Sequence, residues 1–460
     1  MRHLLSRAAL AATALGLSWH AQVAGAPAPA SAAPGAGSSP AASCTTPWPM
    51  YQTFLDRFLQ ADGRVIDPSV PQMHTTSEGQ SYGMMFALVA NDPATFDRLW
   101  RWSVANLAGG DIASRLPAWQ WGLKPDGTWG VLDPNAASDA DLWYAYALLE
   151  AGRVWKRDDY LRDARTLMTR VAREEVADLP GLGKMLLPGP MGFQRGGPSA
   201  SAVAGSAPHG GAPNGAAANG GAANGAAAHG AGPNGSGTAG GAALTPILWR
   251  LNPSYMPVPV LRRLAAEDRQ GPWAAIASAT AKLVMQSSPK GYVPDWVGYA
   301  VTPDTPVGAV VVDPDKGDIG SYDAIRTYLW AGMTPPADPL AGPLLRALAG
   351  MTAGTQPSGV PPESARALTG AVQGAGPVGF SAALLPYFTA NGQPRLLAAQ
   401  RDRVQAQFFN PALPPQAMPR YYDYVLGLFG TGWAEQRYRF LTTGKIQLRW
   451  ENACPRAITR

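Results

Sequence analysis

Apolar residues recur along most of this chain at the three-to-four-residue spacing that places them on one face of an α-helix. Pro93 to Leu107 carries Phe96, Leu99, Trp100, Trp102 and Val104 in this rhythm, and Asp139 to Trp155 carries Leu142, Tyr146, Leu149 and Val154. Tyr160 to Val176 and Trp273 to Met285 repeat the pattern, as do Ala324–Met333, Leu340–Ala349, Phe380–Phe388, Leu396–Phe408 and Tyr421–Phe429. Gly- and Pro-rich joins separate these segments, so the spacing predicts about a dozen helices in series. Strand-like alternation is scarce; Ala309–Val312 is one short candidate, with room for a hairpin. Helices joined in this way bury their apolar faces as a ring or a bundle.

Two stretches fall outside that rhythm. Residues 1–26 start with Arg2, His3 and Arg7, continue through an apolar run from Ala8 to Trp19, and end on Ala24-Gly25-Ala26. This is the pattern of a cleaved export signal; the run is too short to span a bilayer, and an uncleaved anchor is the alternative. Residues 27–43 are Ala, Pro, Ser and Gly only, a linker composition, so the folded body is expected over 44–456. Within it, residues 195–243 are dominated by Gly, Ala, Asn, Pro and Ser, with loosely repeated Asn-Gly pairs at Asn214, Asn219, Asn224 and Asn234. With few large apolar side chains they are expected to be a disordered insertion within the domain.

Composition then removes whole classes of chemistry. Of five histidines, His3 and His20 lie in the leader and His209 and His229 in the low-complexity stretch, which leaves His74. A His-based zinc site needs several ligands, so no metal is expected. A Ser-His-Asp triad would have to use His74 alone. Neither a P-loop nor a dinucleotide-binding glycine motif is present, so no cofactor is expected. The formal net charge of +5 falls by two with Arg2 and Arg7, and without a Lys/Arg-rich run nothing argues for nucleic acid. Cys44 and Cys454 stand at opposite ends of the body. An oxidising compartment allows a bridge between them; two free thiols are the alternative, and the pairing stays open.

The chemistry is left to Asp and Glu. Glu78 sits in the first turn of a helix that Thr76 or Ser77 would cap, with Gly79 and Gly83 keeping its surface narrow. Asp139 and Asp141 open the next helix, where Ser138 and Asp141 have the spacing of a capping box. Asp323 opens a third, with Arg326 one turn on. Acids at helix starts complement the helix dipole without any function. Three of them beside aromatic residues fit a shared cleft better, because inner helices of a ring can present their starts at one end. Trp119, Trp121, Trp129, Tyr255 and Trp296 are expected in loops, and Trp143 and Tyr322 adjoin the acids. Flat rings suit the C–H faces of sugars, although many of the fifteen tryptophans must serve the core.

At these residues the sequence closely resembles glycoside hydrolase family 8, and within it the periplasmic endoglucanases that accompany bacterial cellulose synthase. The likeness rests on Gly63-Arg-Val-Ile-Asp67, Thr75-Thr-Ser-Glu-Gly-Gln-Ser-Tyr-Gly-Met84, Leu116-Pro-Ala-Trp119, Ala137-Ser-Asp-Ala-Asp141, Pro180-Gly-Leu-Gly183, Asn252-Pro-Ser-Tyr255, Pro294-Asp-Trp296, Ser321-Tyr-Asp-Ala-Ile-Arg326, Gly376-Pro-Val-Gly-Phe-Ser381 and Tyr422 to Trp433. The resemblance implies an (α/α)6 barrel and hydrolysis of a β-1,4-glucan with inversion, in the setting of cellulose synthesis and export. It implies Glu78 as general acid, Asp323 as general base, and Asp139, at the family's signature aspartate, as the group that steadies the distorted sugar. Trp119, Trp121, Asp141, Trp143, Tyr255, Trp296, Tyr322 and Arg326 are the expected substrate contacts. Arg326 either keeps Asp323 ionised or holds Asp139. Relatives within the family act on chitosan or xylan, and a non-catalytic glucan-binding export factor is the rival of another class. The leader and the Gly/Ala-rich insertion depart from the family pattern, and neither touches the acids.

Overall fold

The computed structural model describes residues 47–70, 73–196, 246–414 and 417–453. The expected leader, linker and cysteine pair, and residues 197–243 of the expected insertion, lie outside the described residues.

Among the described residues fourteen helices follow one another. They are α1 (Pro49–Phe58), α2 (Ser77–Ala90), α3 (Pro93–Asn106), α4 (Ser138–Trp155), α5 (Asp158–Glu174), α6 (Val258–Glu267) and α7 (Trp273–Ser287). After these come α8 (Ala324–Met333), α9 (Ala341–Ala347), α10 (Gly350–Thr355), α11 (Val378–Ala390), α12 (Pro394–Phe408), α13 (Tyr421–Ala434) and α14 (Arg449–Ala453). The sequence anticipated most of them; α1, α6, α10 and α14 were not among the expected segments.

Helices α2, α4, α6, α8, α11 and α13 form an inner ring in which each packs on the next. Phe429 of α13 meets Tyr82 and Phe86 of α2 at 5.0 and 4.9 Å and closes it. Each inner helix is backed by an outer one, α3, α5, α7, α9 and α12 by chain order and α1 behind α13. The chain is an (α/α)6 toroid. The sequence of each layer explains its place. Outer α5 buries Tyr160, Ala164, Leu167, Met168 and Val171, a single stripe with water on the other side. Inner α2 buries every residue from Gly79 to Val89, because it has neighbours on all sides. Small and apolar residues satisfy that position, and the polar Gln80 does so by bonding Val65 N, Gly63 O and Ser103 Oγ. Trp143 of α4 fills the middle of the ring against Tyr82, Tyr146, Trp330 and Phe429.

Short strands are more numerous than the alternation suggested. At the mouth of the ring, β1 (Thr75–Thr76), β2 (Ala118–Leu123) and β3 (Trp129–Ala136) form an antiparallel sheet. The predicted hairpin exists as β8 (Val297–Thr302) and β9 (Thr305–Val312), after the β4 (Val176–Leu179) and β5 (Gly183–Leu186) pair. It continues a four-stranded sheet with β6 (Gln194–Gly196) and β7 (Ile247–Leu251). Gly196 pairs with Ile247, so the chain on either side of residues 197–245 lies strand to strand. Strand β6 carries Arg195 and Gly196, two residues into the segment that composition set apart; Arg195 pairs with Asp315 at 2.6 Å.

Candidate active site

The inner helices α2, α8 and α13 begin around one open cleft. Glu78, Tyr82, Trp119, Tyr322, Asp323 and Tyr422 are among its walls. How the helices are capped decides which acids face it. Thr76 caps α2 by accepting the Gly79 N–H at 3.0 Å, so Glu78 in the first turn is released from that work. Gly79 lies directly under the Tyr421 hydroxyl, where any side chain would collide. Asp323 stands at the N-cap position of α8 but makes no capping bond. Asp295, from the preceding loop, accepts the N–H groups of Ser321 and Ala324 instead, both at 2.7 Å.

The three acids expected at the helix starts converge on one guanidinium. Arg326, only 1% exposed, donates to Glu78 Oε1 through Nη1 and to Asp323 Oδ1 through Nη2 at 3.1 Å. Its Nη2 also donates to Ser254 Oγ at 3.0 Å and lies 3.9 Å from Asp139 Oδ2. The choice left open in the sequence, Asp323 or Asp139, is answered by geometry: Arg326 bonds Glu78 and Asp323 and only approaches Asp139. Tyr82 adds a hydrogen bond to Glu78 Oε1 at 3.0 Å. Asn252 Nδ2 and Trp296 Nε1 both donate to Asp323 Oδ2 at 3.2 Å.

One buried and two half-buried carboxylates around one cation cannot all be ionised cheaply. Burial, then the charge of Glu78, pushes the Asp139 carboxyl well above the usual range, while Arg326 opposes the shift. Burial likewise raises Asp323 to about 7; Arg326 opposes the shift, while Asp295 and Glu78 add to it. Burial works against the charge of Arg326, yet Glu78 beside it holds the guanidinium firmly protonated.

The structure does not bring every expected contact to the cleft. Asp141 is two residues after Asp139, which turns it roughly 200° round the helix. It is fully buried and faces Glu175, and no donor reaches either of its oxygens. The expected capping box is also absent: α4 is capped at Ala137, and Ser138 Oγ has no partner. Trp143 is core, 1% exposed in the centre of the ring. Trp296 is 3% exposed, stacked on Phe193 with its N–H on Asp323, so it holds a carboxylate and offers no open ring face. Trp119 and Tyr322 do line the cleft. Trp119, Trp121 and Trp129 lie on strands where loops were expected; Trp121 stacks on the exposed Trp129 over Arg64. Tyr255 is half-buried in a short 3-10 turn, its ring 5.7 Å from the Arg326 guanidinium carbon.

Several residues at the site were not singled out from the sequence. Tyr82, Asn252, Ser254, Asp295 and Tyr422 hold the acids or the backbone that carries them. The signal for all of them was present: each of the five falls inside the family-like runs. His74 also lines the cleft, its ring 2.7 Å from Gln120 Nε2.

The Asp141–Glu175 pair gives a stability prediction. Burial comes first among the causes that raise both carboxyls, and no cation pairs directly with either. Carboxyls whose folded values are raised support stability fully below about pH 4, and that support fades as pH rises through the raised values. Glu175→Gln puts an amide donor beside Asp141 and removes one buried acid. It is expected to raise the melting temperature by about 2–4 °C near pH 8, a gain that shrinks to nothing toward pH 4. Thermal scans at the two pH values check this; a variant less stable at pH 8 than the native chain refutes it.

With this geometry in view, comparison with known proteins is direct. Residues 26–200 and 235–436 match the pattern of glycosyl hydrolases family 8. A curated endoglucanase of Pseudomonas fluorescens (strain SBW25) is 44% identical over 434 residues, 92% of this chain and 96% of that one. The endoglucanase of Escherichia coli (strain K12) is 40% identical over 413 residues, 90% of this chain and 94% of its own. Among solved structures, the endo-1,4-D-glucanase from Vibrio fischeri ES114 superposes with a TM-score of 0.68 at 34% identity, covering 88% of this chain and 99% of that one. An endo-β-1,4-glucanase from Acetobacter xylinum shares the fold, with a TM-score of 0.57 at 23% identity over 83% of this chain and 95% of that one. The toroid with its buried acids is that of a glycoside hydrolase. The chain belongs to glycosyl hydrolases family 8.

Proposed function

We propose that this chain is an exported endo-β-1,4-glucanase that cuts cellulose-type chains with inversion and acts in cellulose synthesis and export. The observation that carries the chemistry is the gathering of Glu78, Asp139 and Asp323 around Arg326 at an aromatic cleft. The substrate class is supported by relatives of 40–44% identity over about nine-tenths of the chain that are named endoglucanases. Export is supported by the leader pattern of residues 1–26.

In this reading the glucan lies along the cleft against Trp119. Inversion needs an acid on one side of the scissile bond and a base with its water on the other. Glu78 lines the cleft and delivers a proton to the glycosidic oxygen. Asp323, steered by Asn252, Trp296 and Arg326, takes a proton from the attacking water. Asp139, beside these two groups, steadies the distorted sugar at the scissile bond.

The deciding experiment follows the viscosity and the reducing ends of carboxymethylcellulose together. An endo-acting enzyme collapses the viscosity while few ends have formed, and freshly cut product carries the α-anomer. A folded chain that leaves this substrate intact, and also chitosan and xylan, removes the enzyme reading in favour of a binding factor. Trp119→Ala is expected to raise KM on cello-oligosaccharides about tenfold with kcat little changed, the loss of one stacking contact. An unchanged KM would place the substrate elsewhere.

A further inference from the structure

The geometry points to the loop dipeptide Asp295-Trp296 as the positioning pair that sets both the direction and the charge state of Asp323. This rests on the reading of Asp323 as the general base.

Asp323 occupies the N-cap position of α8, where an aspartate ordinarily spends its carboxylate on the helix N–H groups. Here its side chain caps nothing. Asp295 does the capping from outside the helix. Its Oδ1 accepts from the Ser321 and Ala324 N–H groups at 2.7 Å, and its Oδ2 accepts from Ser321 Oγ at 2.6 Å. The loop itself is fixed where the Asp295 N–H donates to Ile319 O at 2.8 Å. Relieved of the helix end, the Asp323 carboxylate turns toward the cleft. Trp296, the very next residue of the loop, then donates its indole N–H to Asp323 Oδ2 at 3.2 Å. One residue holds the turn and the other holds the carboxylate. The Trp296 ring is itself immobilised between Phe193, 6.0 Å away and nearly parallel, and the guanidinium of Arg250 at 4.9 Å.

Charge follows the same route. The groups facing Asp323 are Arg326 on its own helix, Glu78 from α2, Tyr422 from α13, Tyr255 from the 3-10 turn, Asn252 and Asp295, with Asp139 of α4 across the guanidinium. Arg326 and the two neutral donors favour the ionised base. Asp295 and Glu78 favour the protonated one, and among the described residues no cation bonds Asp295, although Arg326 acts on it from a distance. Asp295 therefore makes Asp323 a stronger base than Arg326 alone would leave it. Trp296 acts in the opposite sense by bonding the ionised form.

The test is the pH dependence of kcat/KM on a cello-oligosaccharide for the full chain and four variants. The native acidic limb is expected near the Asp323 value of about 7. Asp295→Asn preserves the shape: its amide oxygen accepts the two N–H groups and its NH2 donates to Ser321 Oγ. It removes the charge, so the limb is expected to move down by about one pH unit with the plateau within a few-fold of native. Asp295→Ala loses the cap as well, and its plateau kcat is expected to fall about a hundredfold, a loss the Asn variant does not share. Trp296→Phe keeps the ring and drops the N–H, and the limb is expected to move up. Should Asp295→Asn and Trp296→Phe both lower the melting temperature while their limbs stay at the native pH, the pair is structural and the inference is overturned. Asp323→Asn separates the underlying reading. If that variant keeps native turnover, Asp323 is not the base, and both the reading and this inference fall together.

Discussion

Glu78→Gln is expected to yield a folded chain whose kcat on carboxymethylcellulose is lower by about a thousandfold, the middle of the range for losing a general acid. The substitution is nearly silent in structure. Arg326 and Tyr82 both donate to Oε1, and an amide oxygen accepts the same two bonds. Thr76 caps the helix, so α2 does not depend on the carboxylate. What is lost is the proton. A glycosyl fluoride, whose leaving group needs less protonation, should therefore recover much of the lost rate, while a β-1,4 glucan should not. Steady-state kinetics on both substrates, with thermal unfolding as the control for folding, decide the matter. Native turnover on the polymer would show that Glu78 is not the acid.

Arg326→Met removes the cation on which the three acids converge. The native side chain is fully buried, and two of the acids bond it directly. Without it, Glu78, Asp139 and Asp323 are left desolvated and uncompensated, a change that typically costs about 3–5 kcal/mol. Activity should fall steeply, since the one group that bonds both Glu78 and Asp323 is gone. The pH dependence gives the sign. Arg326 now opposes the rise of Asp139 and Asp323, so its removal lifts both further. Carboxyls with raised folded values lose stability as pH climbs and regain it as they protonate. The variant should therefore lie furthest below the native chain near pH 8 and approach it toward about pH 4. Melting curves at both pH values check this. An equal deficit at the two would mean that Arg326 contributes packing and not charge.

The acids themselves were legible. Glu78, Asp139 and Asp323 stand at helix starts within recognisable runs, and the structure brings all three together. The outer helices were legible for a related reason, since a helix with one wet face must show its stripe, as α5 does. An inner helix such as α2 or α11 has no wet face and no stripe; it announces itself only as an uninterrupted apolar run. The chain therefore determined by itself its helical class, its ring of acids and the apolar fabric that closes the toroid.

Which face each side chain shows was decided elsewhere. Asp139 and Asp141 are nearly indistinguishable in sequence, yet the rotation of α4 turns one toward Glu78 and the other toward Glu175. Trp119, Trp143 and Trp296 share a residue type, and the fold makes one a cleft wall, one core and one a donor to a carboxylate. Asp323 is free to face the cleft because Asp295, far from it along the chain, caps its helix. Local spacing fixes what lies near in sequence, through the helical repeat. Exposure, charge state and hydrogen-bond partner depend on groups that meet only when the ring closes, and those the tertiary structure alone decided.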